Sequence, residues 1–190
     1  MKGMTNVTGE LDIKDRWNLK IIKVEAHEVK SYTPIGMAYV MMRNASFDSK
    51  DISLSYKYGC VNTRDTFVVE CEEDSSACIV DFPGLSLLET RIFIQECLDM
   101  GNLSYMDGGT NTTAINPGRL GDPVINYVHF PAHMYQTLHT HPSHRVGLVI
   151  RGNGKIELDN KEFYDINEGE IFFMRRNCLH NFICEDEDVV

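Results

Sequence analysis

The sequence predicts an all-β protein built as a sandwich or barrel. Three observations carry this. Short segments rich in β-branched and aromatic residues recur along the whole chain, at spacings of roughly 8–12 residues. Asn, Asp, Ser, Gly and Pro punctuate the gaps between them. The longest apolar runs, such as RIFI and IFFM, are strand-length.

In the first half the strand-like segments are LKIIKVEAHEV (19–29), GMAYVMMR (36–43), ISLSYKYG (52–59), TFVVEC (66–71) and ACIVDF (77–82). The stretch SLLETRIFIQECLDMG (86–101) has a helix-like length and composition, but its TRIFIQ core alternates, which favours a strand at its centre. The character of the chain changes near Gly108 and Gly109. This divides it into a β-rich N-terminal region, 1–108, and a more regular C-terminal barrel, 109–190. The linking segment 107–123 is polar and rich in Gly and Pro, and reads as a surface connection or a lid.

The second half is a series of seven: VINYVHF (124–130), MYQTLHTH (134–141), RVGLVIRG (145–152), GKIELD (154–159), KEFYDI (161–166), EIFFMR (170–175) and HNFICE (180–185). Gly152-Asn153-Gly154 marks a tight hairpin between two of them.

Composition narrows the function classes. The 190 residues carry a net charge of −10, with no cluster of Lys and Arg. Nucleic acid is therefore not an expected partner, because phosphate contacts need such clusters. No apolar run approaches the ~20 residues of a membrane-spanning helix. The six cysteines form no CxxC pair, and the N-terminus has no apolar signal core. Free, mostly buried thiols and a cytoplasmic location are the expectation.

The seven histidines are distributed unevenly: five, from His129 to His144, fall within sixteen residues. His139 and His141 are two apart. On a strand, residues i and i+2 share a face, so one strand offers two imidazoles to one metal ion. A third ligand must come from elsewhere, and His180 opens a later apolar strand. Three imidazoles leave coordination positions open, the layout of a catalytic rather than a closed structural site. A lone strand histidine is more often a surface or core residue than a ligand, so the surrounding sequence has to decide.

That sequence is H-T-H-P-S-H-R-V-G-L-V-I-R-G, 139–152, followed by G-E-I-F-F-M-R-R-N-C-L-H, 169–180. The pair resembles the two motifs of the cupin superfamily, of the conserved-barrel kind, over roughly 125–185. His139, His141 and Gly152 fall in register with the first motif, and Gly169 and His180 with the second. The resemblance implies a cupin double-stranded β-helix, a jelly-roll barrel, with a β-rich N-terminal extension that is a candidate degenerate cupin half. It also implies one divalent transition metal, iron first, with nickel, zinc and manganese as alternatives, and a homodimer.

Three departures stand out. Arg145 occupies the place of the usual glutamate ligand, and a cation cannot ligate a metal. Arg175 and Asn177 replace the proline and glycine of the second motif. The chain ends at Val190, where a cupin barrel has at least one further strand, so either the chain is truncated or its N-terminal half supplies that strand.

The missing glutamate leaves three readings. The site is a three-histidine centre, as in cupin dioxygenases of thiols and β-diketones, with Arg145 holding a substrate carboxylate. Alternatively, His144 swings in as a fourth ligand. Or Arg145 turns outward or forms an internal ion pair. Tyr135 shares the strand parity of His139 and His141, as a core residue or as a proton donor to substrate. Gln136 and Thr140, of opposite parity, are expected to face outward, and Phe173 and Phe182 to line the barrel. The function expected is a metal-dependent enzyme of a small, anionic molecule, either a dioxygenase or a sugar or keto-acid isomerase or epimerase. A non-catalytic small-molecule binder is the remaining alternative.

Overall fold

A computed structural model describes residues 3–15, 18–86, 89–95 and 100–190. Among them there is no α-helix; the elements are seventeen strands and one 3-10 turn. The chain forms two compact units: Met1–Asn6, Asp99–Thr112 and Asn126–Val190 make one, and Val7–Leu98 with Thr113–Ile125 the other.

The second of these units is one large antiparallel sheet. Its strands are β2 (Glu10–Ile13), β3 (Leu19–Val24), β4 (Val29–Tyr32), β5 (Met37–Ser49), β6 (Ser53–Ser55), β7 (Tyr58–Thr63), β8 (Phe67–Phe82) and β9 (Arg91–Gln95). They are ordered β2-β3-β8-β5-β7-β9, with β4 on β8 and β6 on β5. The segments 66–71 and 77–82, separate in the sequence reading, are one strand, β8, in which 72–75 bulge out of the pairing with β5 between Arg43 opposite Ser76 and Ala45 opposite Cys71, with Asp74 in a left-handed conformation (φ 55°). The strand expected at the centre of 86–101 is β9; residues 87, 88 and 96–99 lie outside the described residues. Phe47 stacks on Phe67 (ring centroids 5.0 Å) within an apolar core that includes Val40, Val61 and Ile79.

The histidine-bearing unit has β1 (Met4–Asn6), β10 (Leu103–Ser104), a 3-10 turn (Met106–Gly108) and β13 (Arg145–Leu148). Its remaining strands are β14 (Gly154–Leu158), β15 (Phe163–Ile166), β16 (Ile171–Met174) and β17 (His180–Ile183). The boundaries between the units fall inside β11 (Thr110–Ile115) and at the start of β12 (Ile125–His129). The polar 107–123 segment is thus part turn and part strand rather than a free connection.

Two antiparallel sheets, β1-β16-β13 and β15-β14-β17, face a shared core of Met4, Phe130, Met134, Ile156, Leu158 and Met174. The N-terminal strand pairs with β16, Met4 opposite Met174, so the start of the chain does supply a strand to this sheet. The C-terminal residues are also paired: Val189 bridges Phe130, and Val190 accepts the Ile150 N–H. Gly147 faces the Phe172 ring so closely that an added Cβ would lie 2.2 Å from it. Phe130 stacks on Phe182 at 4.8 Å, a contact worth about 0.5–1.5 kcal/mol beyond the area it buries.

Phe182 belongs to this core, as expected. Phe173 does not: Phe172 and Met174 face the core, and side chains alternate along a strand, so Phe173 points to the other face. The described cysteines are free, with Cys60, Cys71, Cys78 and Cys184 buried and Cys178 half-buried; Cys97 lies outside the described residues.

Candidate metal centre

His139 and His180 are placed by backbone pairing. They stand directly opposite each other, with His139 N–H donating to His180 O (2.9 Å) and the reverse bond at 3.0 Å. Opposite residues share a face, so both rings enter the barrel together, His180 from the start of β17 and His139 from the segment 134–141, which was expected as a strand but forms only isolated bridges, Tyr135 to Ile183 and His139 to His180. His141 follows two residues on. The three ring centroids are 4.5, 4.9 and 5.3 Å apart, and the ligand nitrogens all lie within 4.8 Å of one another.

The protonation pattern of two rings is fixed by the backbone. His139 Nδ1 lies 2.8 Å from Thr137 O, and His180 Nδ1 lies 2.9 Å from Cys178 O. A carbonyl only accepts, so Nδ1 carries the proton in each ring and Nε2 presents its lone pair. This is the tautomer and the anchoring that metal-ligating histidines use. The donor set therefore fits a divalent transition metal, and these three residues could hold one.

The electrostatics favour neutral imidazoles. Burial, and then Arg145 and the two neighbouring histidines, hold His141 down to about 4. His180 is lowered by burial first and by the His139 and Arg145 charges, against the opposing bond to the Cys178 carbonyl. Arg145 thus lies within electrostatic reach of both. It stands opposite Met174 on β13, which puts it on the barrel face, and partial desolvation lowers its own pKa. Among the described residues Arg145 forms no ion pair.

His144 does not join the cluster. It precedes Arg145 and faces the other way: its Nδ1 accepts the Arg176 N–H (3.0 Å) and its ring lies 5.2 Å from Phe173.

Tyr135 and Gln136 reverse the parity read from the sequence. Tyr135 pairs with Ile183 and His139 with His180, so four residue steps on one side answer three on the other. The extra residue is a β-bulge at 137–138, and a bulge changes which face every residue beyond it presents. Tyr135 consequently points away from the barrel, largely exposed, and donates its hydroxyl to Glu157. Gln136, expected outside, is fully buried opposite Phe182, whose N–H donates to its Oε1 (3.4 Å). Its Nε2 has no partner among the described residues. Thr140 is exposed, as expected.

The second-motif turn is explained by Asn177. It adopts φ 58°, the left-handed conformation that glycine supplies elsewhere and that asparagine tolerates better than other side chains. Its N–H donates to His141 O at 2.7 Å, tying the turn to the ligand strand. Gly152 and Gly169 both have φ 80°, and a Cβ at Gly152 would lie 2.0 Å from Asp188 O.

Solved structures match the fold along nearly the whole chain. A cupin 2 conserved-barrel domain protein from Leptotrichia buccalis aligns with a TM-score of 0.57 at 13% identity, covering 98% of this chain and 84% of that one. The fold is that of the cupins. An IolB-like protein from Salmonella typhimurium LT2 gives a TM-score of 0.61 at 12% identity, covering 100% of this chain and 91% of that one. Protein YlbA from E. coli gives 0.60 at 12% identity, with coverages of 99% and 81%. Within the cupin fold, residues 121–189 match the AraC-like ligand-binding domain family, a segment that includes the histidine cluster. No curated protein matches the chain.

The sequence did not reveal the supports of this candidate centre: Asp107, Thr137, Gln136 and the Cys178 carbonyl. The bulge carries no sequence signal of its own. The one available hint for Asp107 was its place in a turn-like Asp-Gly-Gly run.

Proposed function

We propose that this chain is a metal-dependent cupin that acts on a small organic acid. In this reading His139, His141 and His180 hold one divalent transition metal, iron first, through Nε2. The observation that carries it is the cluster itself: three imidazoles whose nitrogens converge, with Arg145, which forms no ion pair among the described residues, in electrostatic reach of two of them. A metal held by three imidazoles supplies a Lewis acid with open positions. Arg145 holds the carboxylate of the substrate, since a guanidinium pairs with it bidentately.

Dioxygenation is the reaction class to test first. Freshly purified protein should contain close to one transition metal per chain, lost on His139→Ala. Oxygen uptake with thiol, diketone or keto-acid substrates supports dioxygenation; turnover without oxygen uptake supports isomerase or epimerase chemistry. Protein without transition metal, and unable to take one up, sinks the proposal.

The AraC-like match favours a second reading, a non-catalytic small-molecule binder using the same barrel. Metal and organic acid bound without turnover would select it. We also propose that the N-terminal region is a ligand-less cupin half. Its broad antiparallel sheet and the near-complete coverage by solved cupins support this.

A further inference from the structure

We propose that Asp107 is a positioning residue for the His139 imidazole, acting through Thr137. The inference rests on the metal-site reading above and identifies what holds one ligand in place.

Asp107 lies in the 3-10 turn with φ 56° and ψ 33°, a left-handed conformation that a non-glycine residue adopts at a cost. Two glycines follow it directly, yet the left-handed position at 107 carries an aspartate. Its carboxylate is fully engaged with one residue. Oδ2 accepts the Thr137 N–H at 2.7 Å, and Oδ1 accepts the Thr137 hydroxyl at 3.1 Å.

Thr137 is in the bulge, where the ladder between Tyr135 and His139 is broken. The Thr137 carbonyl in turn accepts the His139 Nδ1–H at 2.8 Å. A chain of three hydrogen bonds therefore runs from the carboxylate through Thr137 to the ring.

The His180 ring uses the same device but needs no such anchor. Its carbonyl belongs to Cys178, in a turn already closed by Cys178 N–H to Arg175 O (3.2 Å) and Asn177 N–H to His141 O. The carbonyl that orients His139 sits on an irregular segment without those bonds. Asp107 supplies from outside what the turn supplies at His180. Groups bonded directly to ligating histidines are worth about 10–100-fold in metal affinity, so Asp107, one bond further out, is expected at the lower end.

The test uses the full chain, stripped of metal and titrated with Co(II) and Zn(II) against a chelating indicator. Asp107→Ala should weaken binding about tenfold, the lower end of the range for direct partners. Asp107→Asn keeps an acceptor oxygen for the Thr137 N–H and should recover part of the loss. Thr110→Val removes a different bond of the same segment, Gly101 N–H to Thr110 Oγ1, and should leave affinity unchanged. In the metal-free protein, the His139 Nδ1–H resonance should lose its protection from exchange in Asp107→Ala while that of His180 keeps it.

Unchanged affinity in Asp107→Ala, or an equal loss in Thr110→Val, would overturn the inference. If Asp107→Ala does not fold, Asp107→Asn decides by the same titration. If the unmodified chain binds neither ion, the metal-site reading fails, and the His139 resonance alone still decides whether Asp107 positions the ring.

Discussion

His139 and His180 exchange both of their backbone hydrogen bonds, so the two residues are set opposite each other by a single bridge between β17 and the segment 134–141. That pairing uses no side-chain atom. Removing either imidazole should leave the strands in register and delete one ligand. His139→Ala and His180→Ala should each lower Zn(II) affinity at least tenfold, while far-ultraviolet circular dichroism stays unchanged. Competition against a chelating indicator measures the first, and full retention of affinity in either variant would remove the residue from the ligand set.

The turn before His180 depends on a left-handed residue at Asn177. Asn177→Gly should be neutral or slightly stabilising, since glycine meets no steric penalty there. Asn177→Val should cost about 1–2 kcal/mol, because a β-branched side chain collides with the backbone at positive φ. Urea unfolding of the two variants makes the comparison. Equal midpoints would show that this conformation does not limit stability.

The legible part of the protein was the part that local spacing controls. His139, His141 and His180 could be read because i, i+2 parity and the glycine register are local properties of the chain. The strand series from 145 to 185 was legible for the same reason, since its breaks are marked by Gly, Asn and Pro. Tyr135, Gln136 and Phe173 were assigned to the wrong face. For Tyr135 and Gln136, one inserted residue at 137–138 inverts parity, and no residue type announces a bulge. For Phe173, two adjacent phenylalanines leave the choice of face to the pairing partner, here Met4 against Met174. The role of Asp107 depends on contact with Thr137, thirty residues away, which spacing cannot show.

Gln136 repairs the bulge it borders. Its backbone N–H donates to Phe182 O (3.0 Å), and its side-chain Oε1 accepts the Phe182 N–H. Gln136→Leu keeps the volume and leaves that half-buried N–H without an acceptor, but it also removes the buried Nε2 that has no partner among the described residues. The expected loss is about 1 kcal/mol, the lower end of the range for an orphaned donor, because the two effects oppose each other. Thermal or urea unfolding reads it, and a variant as stable as the parent would show that the Phe182 N–H finds another partner.

The pairing of Asp188 sets a pH dependence that is separate from the metal centre. Its carboxylate sits 3.0 Å from His129 Nε2 and accepts the Ala132 N–H at 2.8 Å. The His129 bond first, and the Ala132 N–H second, hold the carboxyl below its ordinary value of 3.8. A depressed folded-state pKa means that the charged form is favoured by folding. Its contribution is complete above the unfolded-state value, near 4, and disappears as pH falls through the lower folded-state value. Asp188→Asn should therefore be less stable than the parent at pH 6, with the gap narrowing steadily below pH 4. Melting temperatures of both proteins between pH 3 and 7 test this, and a gap that widens on acidification would reverse the assigned sign.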